Sequence, residues 1–405
     1  MTYIEEQSIA LENVLDNVFY KPWQQGNADT SLALSFDNSI AFCDSCLFAN
    51  ENKTNHLEEY NNNLISFLEF LLNKNCVIPK VKVNLNFDNE IDFNLLNTIV
   101  NYGYMFNIIK IKTSSEFLMD LDKAMQLQKM SALVENLNTK MIFDVYLNIE
   151  TINDELLEHL FVFQNFNTVR VYSYITPQNI NIWQNAYNKL EEYCNLFDLD
   201  ILKYFKIIVD KNSVWDSNSK ELLFNFINSY LDKYTNEQIF SNLLNHSLTF
   251  CNFSMQEDCD AHTTLNIYIP TLAIIPCSGL NKHKYVYGYY QIDDGHISGL
   301  IENNLAVAIR ILKTDKIAGA VKCDTCVYHN FCHLGCYANQ FKYENDPFIP
   351  YRKTCDIEQF IIDTILKIIK SRGILKQLGM LRDNNYHDLK KELMVLYSID
   401  KKEKK

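Results

Sequence analysis

The sequence has few of the residues that interrupt regular structure, with only 10 glycines and 7 prolines among 405 residues. Collagen-like chains and low-complexity disordered chains need far more of both, so those classes are excluded. Hydrophobic residues make up 47% of the chain and include many aromatic side chains. A chain of this length and composition can bury one large core or two ordinary ones.

The sequence also has fewer basic than acidic residues. The 37 lysines and arginines are outnumbered by 50 aspartates and glutamates, which gives a net charge of −13 at neutral pH. Nucleic-acid binding depends largely on basic surfaces that neutralise phosphates, so this balance argues against a nucleic-acid partner. The lysine-rich residues 401–405 predict a solvated tail.

Long apolar runs are absent as well. No stretch approaches the roughly 18 consecutive apolar residues that a membrane-spanning helix needs. Residues 1–14 are acidic and do not have the pattern of a signal peptide. The sequence therefore predicts a cytoplasmic protein without membrane association. Thiols stay reduced in that compartment, so the 12 cysteines suggest metal ligands before disulfides.

Short β-rich runs alternate with longer stretches of helical periodicity between about residues 30 and 245. The predicted strands are 31–36, 80–87, 106–112, 141–147, 168–173 and 204–210. The predicted helices between them include 57–74, 92–103, 153–164 and 181–197. This alternation predicts an α/β fold with a parallel sheet, open or barrel-like, whose ligands bind at the carboxyl ends of the strands.

The pattern changes after about residue 250. Residues 265–277 (LNIYIPTLAIIPC) predict a β-hairpin with its turn near Ile-Pro-Thr. Residues 323–355 predict a cysteine-rich loop that is too irregular to bury a core of its own, so it needs another kind of cross-link. Residues 356–370 and 386–397 predict amphipathic helices.

Eight cysteines lie in the last third of the chain, at positions 251, 259, 277, 323, 326, 332, 336 and 355. That number suits two sites of four thiolates each. Spacing alone leaves three interpretations open: structural zinc sites, iron–sulfur clusters, and buried cysteines that bind no metal. Cys76 and Cys194 lie in apolar helical patterns and are predicted to be core residues.

The late cysteines resemble the SPASM domain of radical S-adenosylmethionine (radical SAM) enzymes, which modify peptides and proteins. The resemblance is carried by the run Cys323-x2-Cys326-x5-Cys332-x3-Cys336, followed after eighteen residues by Cys355. The upstream positions also match, because Cys277 closes the predicted hairpin and two further cysteines precede it. The resemblance covers about residues 250–356.

This resemblance implies two auxiliary 4Fe–4S clusters. Carried over residue by residue, the ligand sets are Cys251, Cys259, Cys277 and Cys336 for the first cluster and Cys323, Cys326, Cys332 and Cys355 for the second. A ligand distant in sequence closes each cluster, so the two clusters would tie this segment together. The family usually has a glycine five residues before the hairpin cysteine, where this chain has Leu272. That departure concerns the turn rather than ligation.

The same resemblance implies a division of the chain into four parts. A helical extension at 1–30 would precede a radical SAM-type partial (β/α)6 barrel at 31–245. The SPASM domain with its two clusters would occupy 250–356, and C-terminal helices with the basic tail would occupy 357–405.

Radical SAM chemistry needs a third cluster, whose three cysteines in C-x3-C-x2-C leave one iron open to S-adenosylmethionine. Cys43 and Cys46, after the first predicted strand, match the last two cysteines of that motif, but the first position is Ser39. A serine oxygen is a poor replacement for a thiolate because its pKa is far higher and it is a harder donor.

A second element of the radical SAM site is altered too. After the second strand the family typically has Gly-Gly-Glu, whose backbone meets the amino end of S-adenosylmethionine. This chain has Asp88, Asn89 and Glu90, so both glycines that permit close backbone approach are lost. Glu90 keeps an acidic group, although one glutamate before a helix also suits the helix N-terminus. Both changes affect one ligand, which predicts a degenerate site without catalytic residues.

Three functional hypotheses follow. The first is a pseudo-enzyme with two 4Fe–4S clusters that does not cleave S-adenosylmethionine. It would bind a precursor peptide, a protein substrate or a second maturation enzyme in a ribosomal-peptide maturation system. The second is an active radical SAM peptide maturase that tolerates Ser39. The third is a binding module whose cysteines hold structural zinc.

Overall fold

The computed structural model describes residues 31–36, 57–73, 81–87, 91–197, 205–210, 213–232, 264–275, 286, 288–302 and 352–372. The chain divides into two compact units. The first consists of residues 1–172 and 260–312, and the second of residues 173–259 and 313–405. Strand pairing and helix packing are therefore given for each unit in turn.

The described strands are β1 (Ser31–Phe36), β2 (Val81–Asn86), β3 (Ile108–Ser114), β4 (Lys140–Tyr146), β5 (Thr168–Ile175), β6 (Phe205–Val209), β7 (Thr264–Tyr268), β8 (Ala273–Ile275), β9 (Gly288–Asp293) and β10 (His296–Glu302). The described helices are α1 (Leu57–Asn73), α2 (Phe93–Asn101), α3 (Leu121–Glu135), α4 (Asp154–Gln164), α5 (Ile180–Leu196), α6 (Ser217–Asp232) and α7 (Arg352–Ser371). The six strands predicted before residue 245 are all present, with ends that differ from the prediction by no more than two residues.

In the first unit, β1 to β5 pair in sequence order and every pair is parallel. Strand β7 adds to the free edge of β1, also in parallel, and β8, β9 and β10 continue from β7 in antiparallel pairs. The predicted α/β class and its parallel sheet are confirmed. The radical SAM barrel, the SPASM domain and the four domain boundaries stay predictions.

Apolar side chains on alternate strand positions build the core of the first unit. Leu34 of β1 pairs with Val83 on one side and with Ile267 on the other, and all three side chains are fully buried. On β4, Phe143 meets the ring of Phe163 from α4 with centroids 4.9 Å apart. Burying each such side chain contributes about 1.5–3 kcal/mol. A shift of one residue in the pairing would turn these side chains to the other side of the sheet, so their burial fixes the strand register.

In the described part of the second unit, aromatic side chains of α5 contact those of α6. Trp183 and Tyr187 of α5 both meet Phe226 of α6, with centroids 5.7 and 5.9 Å apart. Cys194, on the same helix, is 1% exposed, which confirms its prediction as a core residue. An ion pair of 2.6 Å between Lys220 Nζ and Asp356 Oδ2 joins α6 to α7.

Helix α7 begins earlier than the sequence pattern indicated. It starts at Arg352 rather than at residue 356, so Cys355 belongs to the helix and not to the loop before it. The physical reason is that residues 352–355 contain no glycine or proline that would stop the helix from extending toward its N-terminus. The predicted helix at 386–397 and the extension at 1–30 lie outside the described residues. Within the described ranges, no helix combines the length and apolar character that crossing a bilayer requires.

Candidate functional site

Most of the site residues predicted from the sequence fall outside the described ranges. Ser39, Cys43 and Cys46 follow the end of β1, and Asp88–Glu90 follow Phe87 directly after β2. The same applies to seven of the eight late cysteines, at positions 251, 259, 277, 323, 326, 332 and 336. The eighth, Cys355, lies in the first turn of α7. Among the described residues there is no group of three or more His, Cys, Asp or Glu placed to hold a metal ion.

The structure describes the segment before Cys277 up to Ile275. This segment forms the β-hairpin that was predicted for residues 265–277. Strands β7 and β8 pair antiparallel, and Ile269–Thr271 form a short 3-10 turn between them. The next residue, Leu272, has a left-handed backbone with φ 50° and ψ 34°. Its carbonyl accepts a hydrogen bond from the amide of Tyr290 at 2.9 Å, which joins the turn to β9.

Leu272 has a side chain at a position whose left-handed backbone favours glycine. Glycine adopts this conformation without penalty, whereas a residue with a Cβ pays about 1–2 kcal/mol. The buried Leu272 side chain offsets that cost, because burying a leucine contributes about 1.5–3 kcal/mol. The backbone therefore has the geometry that favours glycine at this position, while the side chain is retained for packing.

Helix α1 holds both hairpins through polar contacts. The Asn63 amide donates to the carbonyls of Ile269 and Pro270 at 3.3 and 3.1 Å. One turn further along, the Ser66 hydroxyl donates to the carbonyl of Gly295 between β9 and β10 at 2.7 Å. Helix α1 thus ties the turn at 269–271 to the turn between β9 and β10.

The parallel sheet has two faces of different character. Every second side chain of β3 and β4 is buried and apolar or small, as Ile109, Ile111 and Phe143 illustrate. The opposite face carries most of the charged and polar groups. Residues that pair across a parallel sheet share a face, so the strand pairing assigns each residue to one side. The described members of that polar face on β2 to β5 are Lys82, Asn84, Ile108, Lys110, Lys112, Ser114, Lys140, Ile142, Asp144, Tyr146, Thr168, Arg170 and Tyr172.

The centre of the polar face is an ion triad formed by Lys110, Asp144 and Arg170 from three neighbouring strands. Lys110 Nζ lies 2.8 Å from Asp144 Oδ2. Arg170 approaches the other oxygen, with Nη2 and Nε each 2.7 Å from Oδ1. The Asp144 side chain is only 1% exposed, whereas those of Lys110 and Arg170 are 27% and 35% exposed. A buried carboxylate is therefore shared between two partly exposed cations.

Burial and mutual charges shift the pKa values of Lys110 and of the neighbouring Tyr172. Burial lowers the pKa of Lys110 to about 8, and the nearby cations Lys112 and Arg170 lower it too, while Asp144 opposes the shift. Burial also raises the pKa of Tyr172 well above its usual range, and the charge of Asp144 adds to that effect. Tyr172 is thus a neutral phenol at neutral pH, and Asp144 is the carboxylate that balances the two cations.

The triad is followed by more polar groups toward the carboxyl ends of the strands. Ser114 is the last residue of β3 and lies opposite Tyr146 of β4. Its hydroxyl is buried and has no hydrogen-bond partner among the described residues. Burial, with the charge of Glu150 adding to it, raises the pKa of Tyr146. Ligands of parallel α/β sheets bind at this edge, so the structure places an unsatisfied hydroxyl where a ligand is expected.

Sequence reasoning missed the triad. A signal was present, because Lys110, Asp144 and Arg170 each interrupt an apolar strand pattern with a charge. Charged groups inside a strand are rarely buried unless they are paired. Listing such interruptions in adjacent predicted strands would have found all three residues.

Comparison with known proteins adds no assignment: no family model and no curated protein matches this chain. The candidate sites therefore rest on the residues themselves. They are the predicted cysteine ligands, the hairpin before Cys277 and the polar face centred on Asp144.

Proposed function

We propose that this chain is a cytoplasmic iron–sulfur protein of radical SAM/SPASM type that does not cleave S-adenosylmethionine. It acts as a peptide-binding or partner-binding component of a ribosomal-peptide maturation system. The eight late cysteines would hold two 4Fe–4S clusters in the two sets given above. Ser39 and the loss of both glycines at Asp88–Glu90 remove the reductive cleavage.

The observation that carries this proposal is the hairpin before Cys277. The family pattern expects a glycine five residues before that cysteine, and the backbone at Leu272 has the left-handed geometry that favours glycine. The agreement is specific, because left-handed residues other than glycine are uncommon in proteins. The sequential parallel order of β1 to β5 is consistent with a partial barrel and supports the proposal at the level of fold class.

The proposed clusters have a limited part in this function. When bound, a 4Fe–4S cluster supplies cross-linking of the chain and a site for one-electron transfer. Cys355 would join its cluster from the first turn of α7, where the helix start fixes the position of its backbone. The polar sheet face of the first unit would offer charge and hydrogen-bonding groups to a bound peptide.

Metal analysis tests this proposal. After anaerobic reconstitution, we expect about eight iron atoms per chain, since each cubane cluster contains four. Incubation with S-adenosylmethionine and a strong reductant should give no 5′-deoxyadenosine. About twelve irons with repeated formation of 5′-deoxyadenosine would instead establish an active maturase. Zinc in place of iron would establish a zinc-stapled module.

A variant that restores the missing thiolate at position 39 tests whether Ser39 prevents binding of a third cluster. In the Ser39→Cys variant, the C-x3-C-x2-C spacing is complete. We expect its iron content to rise toward about twelve, because a third cubane can then be ligated. 5′-Deoxyadenosine should remain absent, since the glycines that precede Glu90 in the family are still missing.

A further inference from the structure

The polar face of the sheet has an excess of positive charge in a chain whose net charge is −13. Its described side chains on β2 to β5 include one carboxylate, Asp144. The cations on the same face are Lys82, Lys110, Lys112, Lys140 and Arg170. Cations therefore outnumber carboxylates among the described strand residues of this face, whereas the whole chain is acidic.

Within the triad itself, two cations share one carboxylate. Asp144 uses both oxygens, one for Lys110 and one for Arg170. The positive charge that remains after pairing belongs to Lys110 and Arg170, whose side chains are 27% and 35% exposed. A second anion would balance the charge of the triad.

The polar face also has a hydrogen-bonding group without a partner among the described residues, nearer the carboxyl end of β3. Ser114 lies on the same face of β3 as Lys110, four residues closer to the carboxyl end. Its hydroxyl is buried without a hydrogen-bond partner among the described residues, and such groups normally have one. A peptide that lies along β3 could accept a hydrogen bond from Ser114 and place a carboxylate against the cations, two residues or more away along the strand.

We propose that the polar face centred on Lys110, Arg170 and Ser114 binds a carboxylate of an acidic peptide. This deepens the proposed function by naming the chemistry of the peptide, and it rests on the peptide-binding part of that function. Arginine favours planar carboxylates because its guanidinium can donate two parallel hydrogen bonds. S-adenosylmethionine also has a carboxylate, so the test must separate the two sources.

Binding to the full-length chain can be measured calorimetrically with two capped tripeptides, Ac-Ala-Glu-Ala-NH2 and Ac-Ala-Gln-Ala-NH2. They differ only in the charge of the central side chain. We expect the glutamate peptide to bind at least about tenfold more tightly than the glutamine peptide, equivalent to about 1.4 kcal/mol. Equal affinities, or no binding of either peptide, would overturn the proposal.

Two variants of the triad should act in opposite directions. Lys110→Gln leaves Asp144 paired one-to-one with Arg170, so the preference for the glutamate peptide should disappear while the protein stays folded. Asp144→Asn leaves two cations without an internal anion. The glutamate peptide should therefore bind this variant more tightly than the wild type, and its addition should raise the melting temperature of the variant by more than that of the wild type. A triad with a purely structural role predicts no change in peptide binding for either variant.

A matched control comes from an exposed lysine on another element. Lys123 of α3 pairs with Asp120 at 3.5 Å and is not on the sheet face. The Lys123→Gln variant removes the same charge as Lys110→Gln and should keep the wild-type preference for the glutamate peptide. Loss of the preference in this control as well would reduce the effect to net charge and overturn the proposal.

Titration with S-adenosylmethionine separates the two sources of the carboxylate. We expect Lys110→Gln to change peptide affinity without changing the affinity for S-adenosylmethionine. A Lys110-dependent affinity for S-adenosylmethionine, together with no preference between the two peptides, would contradict the assignment to a peptide. The iron content of the chain does not enter these measurements, so failure here and failure of the cluster assignment are distinguishable.

Discussion

Arg170 of β5 lies directly opposite Asp144 of β4, and its Nη2 atom donates to the Asp144 Oδ1 atom at 2.7 Å. Lys110 approaches the other carboxylate oxygen from β3, although the register partner of Asp144 on that strand is Lys112. The lysine therefore reaches its partner diagonally across the sheet. One buried carboxylate links three consecutive parallel strands through side chains as well as through the backbone ladder.

Removing this carboxylate should be costly. In Asp144→Asn, two partly buried cations lose their counter-charge, and we expect the free energy of unfolding to fall by about 3 kcal/mol. Urea unfolding checks this value. The control is Asp120→Asn at the exposed pair with Lys123, where asparagine still caps α3 and the loss should be below about 1 kcal/mol. Equal losses in the two variants would contradict a buried, shared carboxylate.

The pH dependence of stability should also report on Lys110. Its pKa is lowered from 10.5 to about 8 in the folded chain, so between these values the unfolded chain binds more protons than the folded one. Stability therefore rises as pH increases from about 8 to 10.5, because the cost of burying the charged lysine is relieved.

Comparison with Lys110→Gln isolates this contribution, since the tyrosines, cysteines and other lysines titrate in both proteins. The difference in free energy of unfolding, wild type minus variant, should increase across that pH range in paired urea titrations. A flat difference would mean that the lysine has the same pKa in the folded and unfolded chains. A falling difference would mean that the ion pair with Asp144 dominates over burial.

The sequence predicted the parallel strands well and the polar face not at all, for one physical reason. Hydrophobic periodicity reports which side of a strand is buried, and it located β1 to β6 to within two residues. The triad depends on how strands align with each other, and Lys110 and Asp144 are 34 residues apart in the chain. Register is a property of the folded sheet, so it cannot be obtained from periodicity within single strands.

The hairpin turn shows the opposite case, in which a departure from a pattern carried structural information. The sequence indicated only that Leu272 stands where the SPASM domains that this chain resembles usually have glycine. Propensity alone would not place a leucine in the left-handed region, because its Cβ is unfavourable there. The conformation follows from tertiary contacts, including the buried side chain and the hydrogen bond from Tyr290.

Substitutions at Leu272 can test its backbone conformation. Both Leu272→Ala and Leu272→Gly should lose about 2–5 kcal/mol because the buried side chain is removed. Glycine avoids the left-handed penalty that alanine keeps, so the glycine variant should be at least as stable as the alanine variant. Thermal unfolding of the two variants gives the sign of the difference.

The control for this comparison is Leu96, which is fully buried in the regular helix α2. There, glycine should be less stable than alanine by about 1 kcal/mol, as is usual inside helices. If glycine were also about 1 kcal/mol worse than alanine at Leu272, an ordinary right-handed or extended backbone would be indicated at the turn.

Removal of a single predicted ligand should separate cluster cysteines from core cysteines. Cys326→Ala takes one thiolate from the proposed second cluster, and we expect the iron content to fall from about eight to about four atoms per chain. Cys194→Ala is the matched control, because Cys194 is a buried core cysteine of α5 that belongs to neither proposed ligand set. That variant should keep all of its iron and lose only about 1 kcal/mol of stability through a small cavity. Parallel assays of iron and acid-labile sulfide measure both outcomes, and unchanged iron in Cys326→Ala would show that the ligand sets are wrong.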